Sequence, residues 1–510
     1  MKTKITALAV FLALLTLLGA CSAPRMDNFV QDSPYSLLPN DSYLQRPYSG
    51  EDYLTINENN TVPTDVESML TFSLKVDTAS YSNVLRYLES GNLPPHGAVR
   101  TEELINYFRY DGEMPFPGGA PFSLRAEVAP SPLREDRVMA FIRVKSLDID
   151  KSELPRSNLT FLIDTSGSMD SYDKLPLLKE AFRLLIDTLD EDDRVSIVTY
   201  AGSSAVILDG VSGADKQTIL GAINNLRAQG STAGANGILT AYALAEKNMI
   251  EDGNNRVILA TDGDFNVGMS STGDLAELVG EKRGNGVYMS ILGFGTGNIR
   301  DDIMETLSRE GNGNYSYIYD LAGAKKVLVE ELAANLFTVA DDVKAQIEFN
   351  PQNVKSYRLI GYENRGLSNE DFTDDTKDAG EIGAGTDVVM LFELELNSSA
   401  GGKKYTSPDG AETEFSNELF EVRLRYKEPG ESESLELVQP VYVEDMTESG
   451  SSDFRFACSV AAFGDLLRGS EYAGDIDGVI ALAEGSLGID EEGYREDFLE
   501  ALDLYKRLTD

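Results

Sequence analysis

Three short segments hold the side chains whose types and spacing could do chemistry. They are Asp164-Thr165-Ser166-Gly167-Ser168, Gly230-Ser231-Thr232-Ala233-Gly234 and Thr261-Asp262-Gly263-Asp264. The carboxylates of Asp164 and Asp262 can balance a divalent cation, and the hydroxyls of Ser166, Ser168 and Thr232 add hard, neutral oxygens. Mg²⁺ suits such a donor set best, and Mn²⁺ or Ca²⁺ also fits. Five protein groups cannot all touch an ion that keeps waters, so one aspartate is expected to act through water. Hydroxyls bring no formal charge, so the ion stays electrophilic, and its open position invites a carboxylate from outside.

The remaining composition removes most other chemistry. Two cysteines and one histidine leave no thiolate cluster, no disulfide framework and little histidine acid–base work. With 85 acidic against 44 basic residues the formal charge is −41, a field that repels phosphate backbones, so nucleic acid is not an expected partner.

These segments need elements to position them. Short apolar runs at 159–163, 195–200, 257–260 and 287–292 alternate with amphipathic helical stretches such as 175–189 and 272–283. That alternation predicts an α/β fold with a doubly wound, mostly parallel, Rossmann-like sheet. Asp164 and Asp262 each directly follow a strand-like run, and ligands of such sheets bind outside the carboxyl ends of the strands at the switch point. Glycines in all three loops allow close approach to an ion.

The Asp-x-Ser-x-Ser, Thr and Asp arrangement resembles the metal-ion-dependent adhesion site of von Willebrand factor type A domains, with Asp164, Ser166, Ser168, Thr232 and Asp262 at the motif positions. The resemblance implies a six-stranded sheet of order 3-2-1-4-5-6 and a protein ligand presenting Asp or Glu. Phe72 to Tyr81, Leu93-Pro94-Pro95 and Val99 to Glu103 are similar to the N-terminal region of bacterial YfbK-type type A lipoproteins, and Phe454 to Ser470 is similar to their C-terminal region. Asp77 and Asp264 are read as turn caps.

Six segments follow. Residues 1–20 carry the layout of a lipoprotein signal peptide, with Lys2 and Lys4 ahead of an apolar run. Leu18-Gly19-Ala20-Cys21 resembles the bacterial lipobox, which implies cleavage before Cys21 and its lipidation. The expected location is therefore the bacterial cell envelope, anchored in the outer membrane of a Gram-negative cell or on the outer face of the plasma membrane of a Gram-positive one. Residues 21–68, rich in Asn, Asp, Ser and Pro, read as a flexible tether. Residues 69–155 read as helices followed by strands, with helical faces formed by Tyr81, Val84, Leu85 and Leu88 and by Leu104, Ile105, Tyr107 and Phe108. His96 falls in a Pro-Pro-His-Gly turn. Residues 156–337 form the type A domain, ending in a helix over about 321–337. Alternating strands over 338–450 predict a β-sandwich, completed by strands from 122–146, so that the parallel-sheet domain is inserted into it. Residues 451–510 are helical, and Cys458 lies in an apolar run that reads as core.

The leading function is that of a membrane-anchored, extracytoplasmic binding or adhesion protein, with the membrane reached through Cys21. The alternatives are a metal-stabilised envelope scaffold or a metal-dependent hydrolase. Catalysis is not expected. Asp164-Thr165-Ser166-Gly167 is only superficially similar to the Asp-Thr-Gly of aspartic proteases, the sole histidine is His96, and Asp264 is the one nearby candidate base.

Overall fold

The computed structural model describes residues 50–510 apart from 76, 113, 150–153, 231–233, 264–271, 332–333, 335, 378 and 398–416. Cys21 and the segments assigned to the signal peptide and most of the tether lie outside the described residues, as do Thr232 and Asp264. Among the described residues no helix is long and apolar enough to cross a membrane.

The type A sheet has six strands, 157–164, 194–200, 204–212, 254–261, 288–294 and 315–318, and taking these as 1 to 6 their spatial order is 3-2-1-4-5-6. All neighbours are parallel except 204–212, which runs antiparallel to 194–200. Strands Ser157–Asp164 and Asn254–Thr261 are buried along their whole length because helices cover both faces. Side chains alternate between those faces. Leu159, Phe161 and Ile163 pack with Leu178, Phe182 and Leu185 of helix Leu175–Asp187. Leu162 packs the opposite way, with Tyr242 of helix Gly234–Lys247 and Leu275 of helix Thr272–Gly284.

Two antiparallel sheets flank this insertion. One has the order 62–63, 354–360, 387–396, 138–146, 122–130, and the other 366–367, 69–73, 338–349, 418–427, 434–442, with 380–383 paired to 338–349. Phe72, Phe122, Ile142, Ile347, Phe349 and Phe392 fill the space between them. Met139, Phe141, Val389 and Leu391 point out of the first sheet into a second core formed with the helices. That sheet is therefore buried on both faces, which explains the unbroken apolar run 138–142. In the helical module Phe108 meets Tyr81, Phe456 and Phe498 edge-on at ring-centroid distances of 5.0, 5.0 and 5.6 Å.

The structure departs from the sequence reading at four places. Residues 50–68 are not a free tether but packed chain. Val62–Pro63 pairs with 356–357, Thr64 Oγ1 donates to Val354 O at 2.7 Å, and Glu51 forms a buried ion pair with Arg86. Their partners are distant in sequence, so composition alone misleads. Met69–Ser73, ahead of the predicted helices, is a strand bonded to 344–348. The second early helix spans only Thr101–Ile105, because the Asn106 side chain exchanges hydrogen bonds with the Val389 backbone and ends it. Finally, in the stretch expected to be one helix over 321–337, residues 334 and 336 are helical, but before them helix Leu321–Lys325 gives way to a wider π-type turn, Lys326–Glu330. Buried Lys326 sits there over the rings of Tyr107 and Tyr494, at 4.6 and 4.4 Å, and pairs with Glu331 at 2.8 Å.

Candidate metal centre

Asp164 is the last residue of its strand and is wholly buried. Its Oδ1 accepts the backbone N–H of Ser166 at 2.7 Å, which turns the chain into the short 3₁₀ helix Gly167–Asp170. The turn aligns two hydroxyls, with Ser166 Oγ and Ser168 Oγ 2.8 Å apart. Ser166 is buried and Ser168 half-buried, so the pair leads from the carboxylate toward solvent. The loop before Thr232 is fastened to this turn, since Gly167 N donates to Gly230 O at 3.1 Å and Gln229 N donates to Thr165 O at 2.8 Å.

Strand 254–261 lies beside strand 157–164 with Ala260 level with Ile163, and the chain then delivers Thr261 and Asp262. Thr261 Oγ1 is 3.5 Å from Asp164 Oδ2, and Asp262 is wholly buried. Gly263 has φ +102°, and a Cβ there would stand 2.4 Å from Asn298 O, so only glycine lets the two loops close together. The structure thus brings Asp164, Ser166, Ser168 and Asp262 to the switch point of the sheet.

Burial pushes the Asp164 carboxyl up to about 6, the Ser166 N–H works against this, and the Asp262 charge adds to it. Among the described residues no basic side chain forms an ion pair with Asp164. A buried carboxylate facing two hydroxyls without a counter-charge fits a hard divalent cation in both charge and donor type.

Sequence reasoning missed Lys174. Its Nζ donates to Asp262 Oδ2 at 2.8 Å and to Asn298 Oδ1 at 3.2 Å, and its side chain is 8% exposed. One signal was legible. Lys174 precedes helix Leu175–Asp187 directly, where the positive end of the helix dipole disfavours a cation.

Sequence reasoning also missed a second carboxylate cluster. Asp77, Glu103 and Glu305 converge with ligand atoms within 4.8 Å, all buried. Asp77 is not a turn cap, for its Oδ1 accepts Tyr315 N at 2.9 Å and its Oδ2 lies 3.2 Å from Arg365. Arg365 also holds Glu305 at 2.6 Å, and Arg100 binds Glu103 and, at 2.7 Å, Asp301. Burial raises the Glu305 carboxyl, but Arg365 and Arg100 outweigh it and hold the group down near 2. With guanidinium groups already among these acids, the cluster is an ion-pair network joining the modules.

Family models match the chain in three places. Residues 158–330 match the von Willebrand factor type A domain, 47–140 match a von Willebrand factor model, and 334–508 match the C-terminal region of uncharacterized protein YfbK. Uncharacterized protein YfbK of Escherichia coli (strain K12) is 43% identical over 470 residues, covering 90% of this chain and 81% of that one. Uncharacterized protein sll0103 of Synechocystis sp. is 26% identical over 321 residues, covering 61% and 70%. Among solved structures, von Willebrand factor type A from Catenulispora acidiphila aligns with a TM-score of 0.44 at 16% identity, covering 78% of this chain and 91% of that chain. The type A domain is a module of protein–protein interaction and adhesion. The chain belongs to the YfbK family of von Willebrand factor type A proteins.

Proposed function

We propose that this protein is a lipid-anchored, extracytoplasmic binding protein that captures an acidic side chain of a partner protein through a divalent cation, Mg²⁺ foremost, held at the metal-ion-dependent adhesion site of its type A domain. The observation that carries this reading is Asp164, a wholly buried carboxylate that forms no ion pair among the described residues and lies beside the paired hydroxyls of Ser166 and Ser168. Asp164, Ser166, Ser168 and Thr232 would hold the ion, with Asp262 behind them. The bound ion would supply a Lewis-acidic position for the incoming carboxylate. Around it, the Ser166 N–H orients Asp164, and the bond from Gly167 N to Gly230 O keeps the loop leading to Thr232 against the turn. Cys21, carrying the lipid, would place the domain on the outer side of a bacterial membrane.

The test is calorimetric titration of Mg²⁺, Mn²⁺ and Ca²⁺ into the full chain in detergent, with and without acetate as a carboxylate probe. Asp164→Ala and Asp262→Ala serve as variants whose folds are checked by circular dichroism. Saturable binding by the wild type, lost in both folded variants, is the expected result. No binding by the wild type under either condition overturns the metal-centred reading and leaves an envelope scaffold. For the anchor, Cys21→Ala should move the protein from the membrane to the soluble fraction, and unchanged fractionation would remove the lipid from the account.

A further inference from the structure

The position of Lys174 has a consequence for the charge of the site. Its ammonium is inside the protein, on Asp262, and its stem runs in a slot made for it. Gly295 forms one wall of that slot at φ +75°, where a Cβ would stand 2.3 Å from both Cγ and Cε of the lysine. The slot is fixed from behind. Asn298, the lysine's second acceptor, belongs to a loop whose Gly297 N donates to Glu51 at 2.8 Å and whose Ile299 O accepts Asp52 N at 2.9 Å. Burying an ammonium in a built slot, at the unfavourable end of a helix, calls for a compensating role, and the partner it reaches is one of the two carboxylates of the site.

We propose that Lys174 is a tethered counter-cation of the metal site, one that competes with the divalent ion for Asp262 and makes stable ion binding depend on an anionic ligand. This rests on the reading of the site as a cation centre. Among the described residues the buried charges of the site are Asp164, Asp262 and Lys174, so with both acids ionised one negative charge is left. A divalent ion turns that into one positive charge, which a single carboxylate from a partner neutralises. Without the lysine the loaded site is already neutral and has no such need. Lys174 therefore weakens the ion alone, strengthens the coupling between ion and acidic ligand, and sets the preference of the site for an anion.

The experiment compares wild type with Lys174→Met and Lys174→Arg in the full chain, using calorimetric titration of Mn²⁺ with and without acetate together with the ion-free thermal midpoint. Lys174→Met should bind Mn²⁺ alone about ten-fold or more tightly than wild type, because a like charge a few ångströms from the ion has gone. Its ion-free midpoint should fall, and the gain in Mn²⁺ affinity that acetate gives the wild type should shrink. Lys174→Arg should stay near wild type. If Lys174→Met does not fold, Lys174→Gln makes the same comparison while keeping a donor for Asp262. Equal Mn²⁺ affinities in wild type and the neutral variant overturn the proposal and leave the metal site standing, and weaker binding by a folded neutral variant overturns it as well. No Mn²⁺ binding by any of them, with or without acetate, overturns the metal site and this proposal together.

Discussion

Nη2 of Arg365, in the turn that opens the short sandwich strand 366–367, lies 2.6 Å from Oε1 of Glu305 on the type A helix Asp301–Glu310, with both side chains buried. The same guanidinium group reaches Asp77 at 3.2 Å, so one arginine joins the sandwich, the inserted domain and the segment before the first helix. Replacing it with leucine takes the direct ion pair from Glu305 and leaves Asp77 with Lys75 at 3.9 Å. Arg365→Leu should lower stability by about 3–5 kcal/mol, read from urea denaturation, because removing one partner of a buried pair leaves the other uncompensated. A loss below about 1 kcal/mol would mean that water reaches the cluster and screens it.

Asp164 predicts a pH dependence of definite sign. Its folded value, about 6, stands above the ordinary 3.8, so between those values the folded state holds a proton that the unfolded state has released. Ion-free stability should therefore fall as pH rises from about 4 to 6, by about 2–3 kcal/mol in all, and level off above. Asp164→Asn should remove this slope. Since a proton and a divalent ion compete for the same carboxylate, the calorimetric affinity for Mg²⁺ should climb over the same interval, and a flat profile would show that Asp164 is not a ligand.

Gly295→Ala should act on the metal centre without touching any of its oxygen donors. The methyl group collides with the Lys174 stem, and the left-handed backbone at φ +75° adds strain of about 1–2 kcal/mol. Thermal stability should drop, and Mn²⁺ affinity should shift in the same sense as in Lys174→Met. A variant that loses stability but binds Mn²⁺ as the wild type does would separate the backbone strain from the position of the lysine.

Cys458 is buried in helix Ser452–Arg468 and is a free thiol, and burial pushes that thiol above its ordinary range. Native protein should resist maleimide at neutral pH and react once unfolded in urea. The chain has two cysteines, so mass spectrometry of the unfolded mature protein should find one added maleimide if Cys21 carries a lipid on its sulfur and two if its thiol is free.

The parts of the architecture legible in the sequence are those encoded locally. The run 159–163, closed by Asp164, announced a buried parallel strand with its carboxylate at the ligand-binding end, and strand-like runs on both sides of the parallel region announced the insertion, whereas the sheet order came from the resemblance to type A domains. What was not legible depends on distant partners. Glu51 looks like a linker residue until Arg86 is beside it, and Asp77 looks like a cap until Arg365 arrives from 288 positions away. The apolar runs before Asp164 and Asp262 place both residues at strand ends, and the structure has both there. Lys174 showed only as a cation at the start of a helix, because the folded loop 295–298 decides where its side chain goes.

The insertion also has a bearing on the order in which the molecule is made. Strands 122–130 and 138–146 leave the ribosome before the type A domain, while their sheet partner 387–396 comes after it, with Arg143 and its ion-pair partner Asp387 separated by 244 positions. Strand 69–73 likewise waits for 338–349. Until then these early strands carry open edges, which other nascent chains can pair with. All six strands of the inserted domain lie within 157–318, so it can condense first and replace a long floppy loop by a compact body that brings both halves of the sandwich within reach of each other. A lesion that slows closure of the type A sheet would therefore show itself first as aggregation of the sandwich strands.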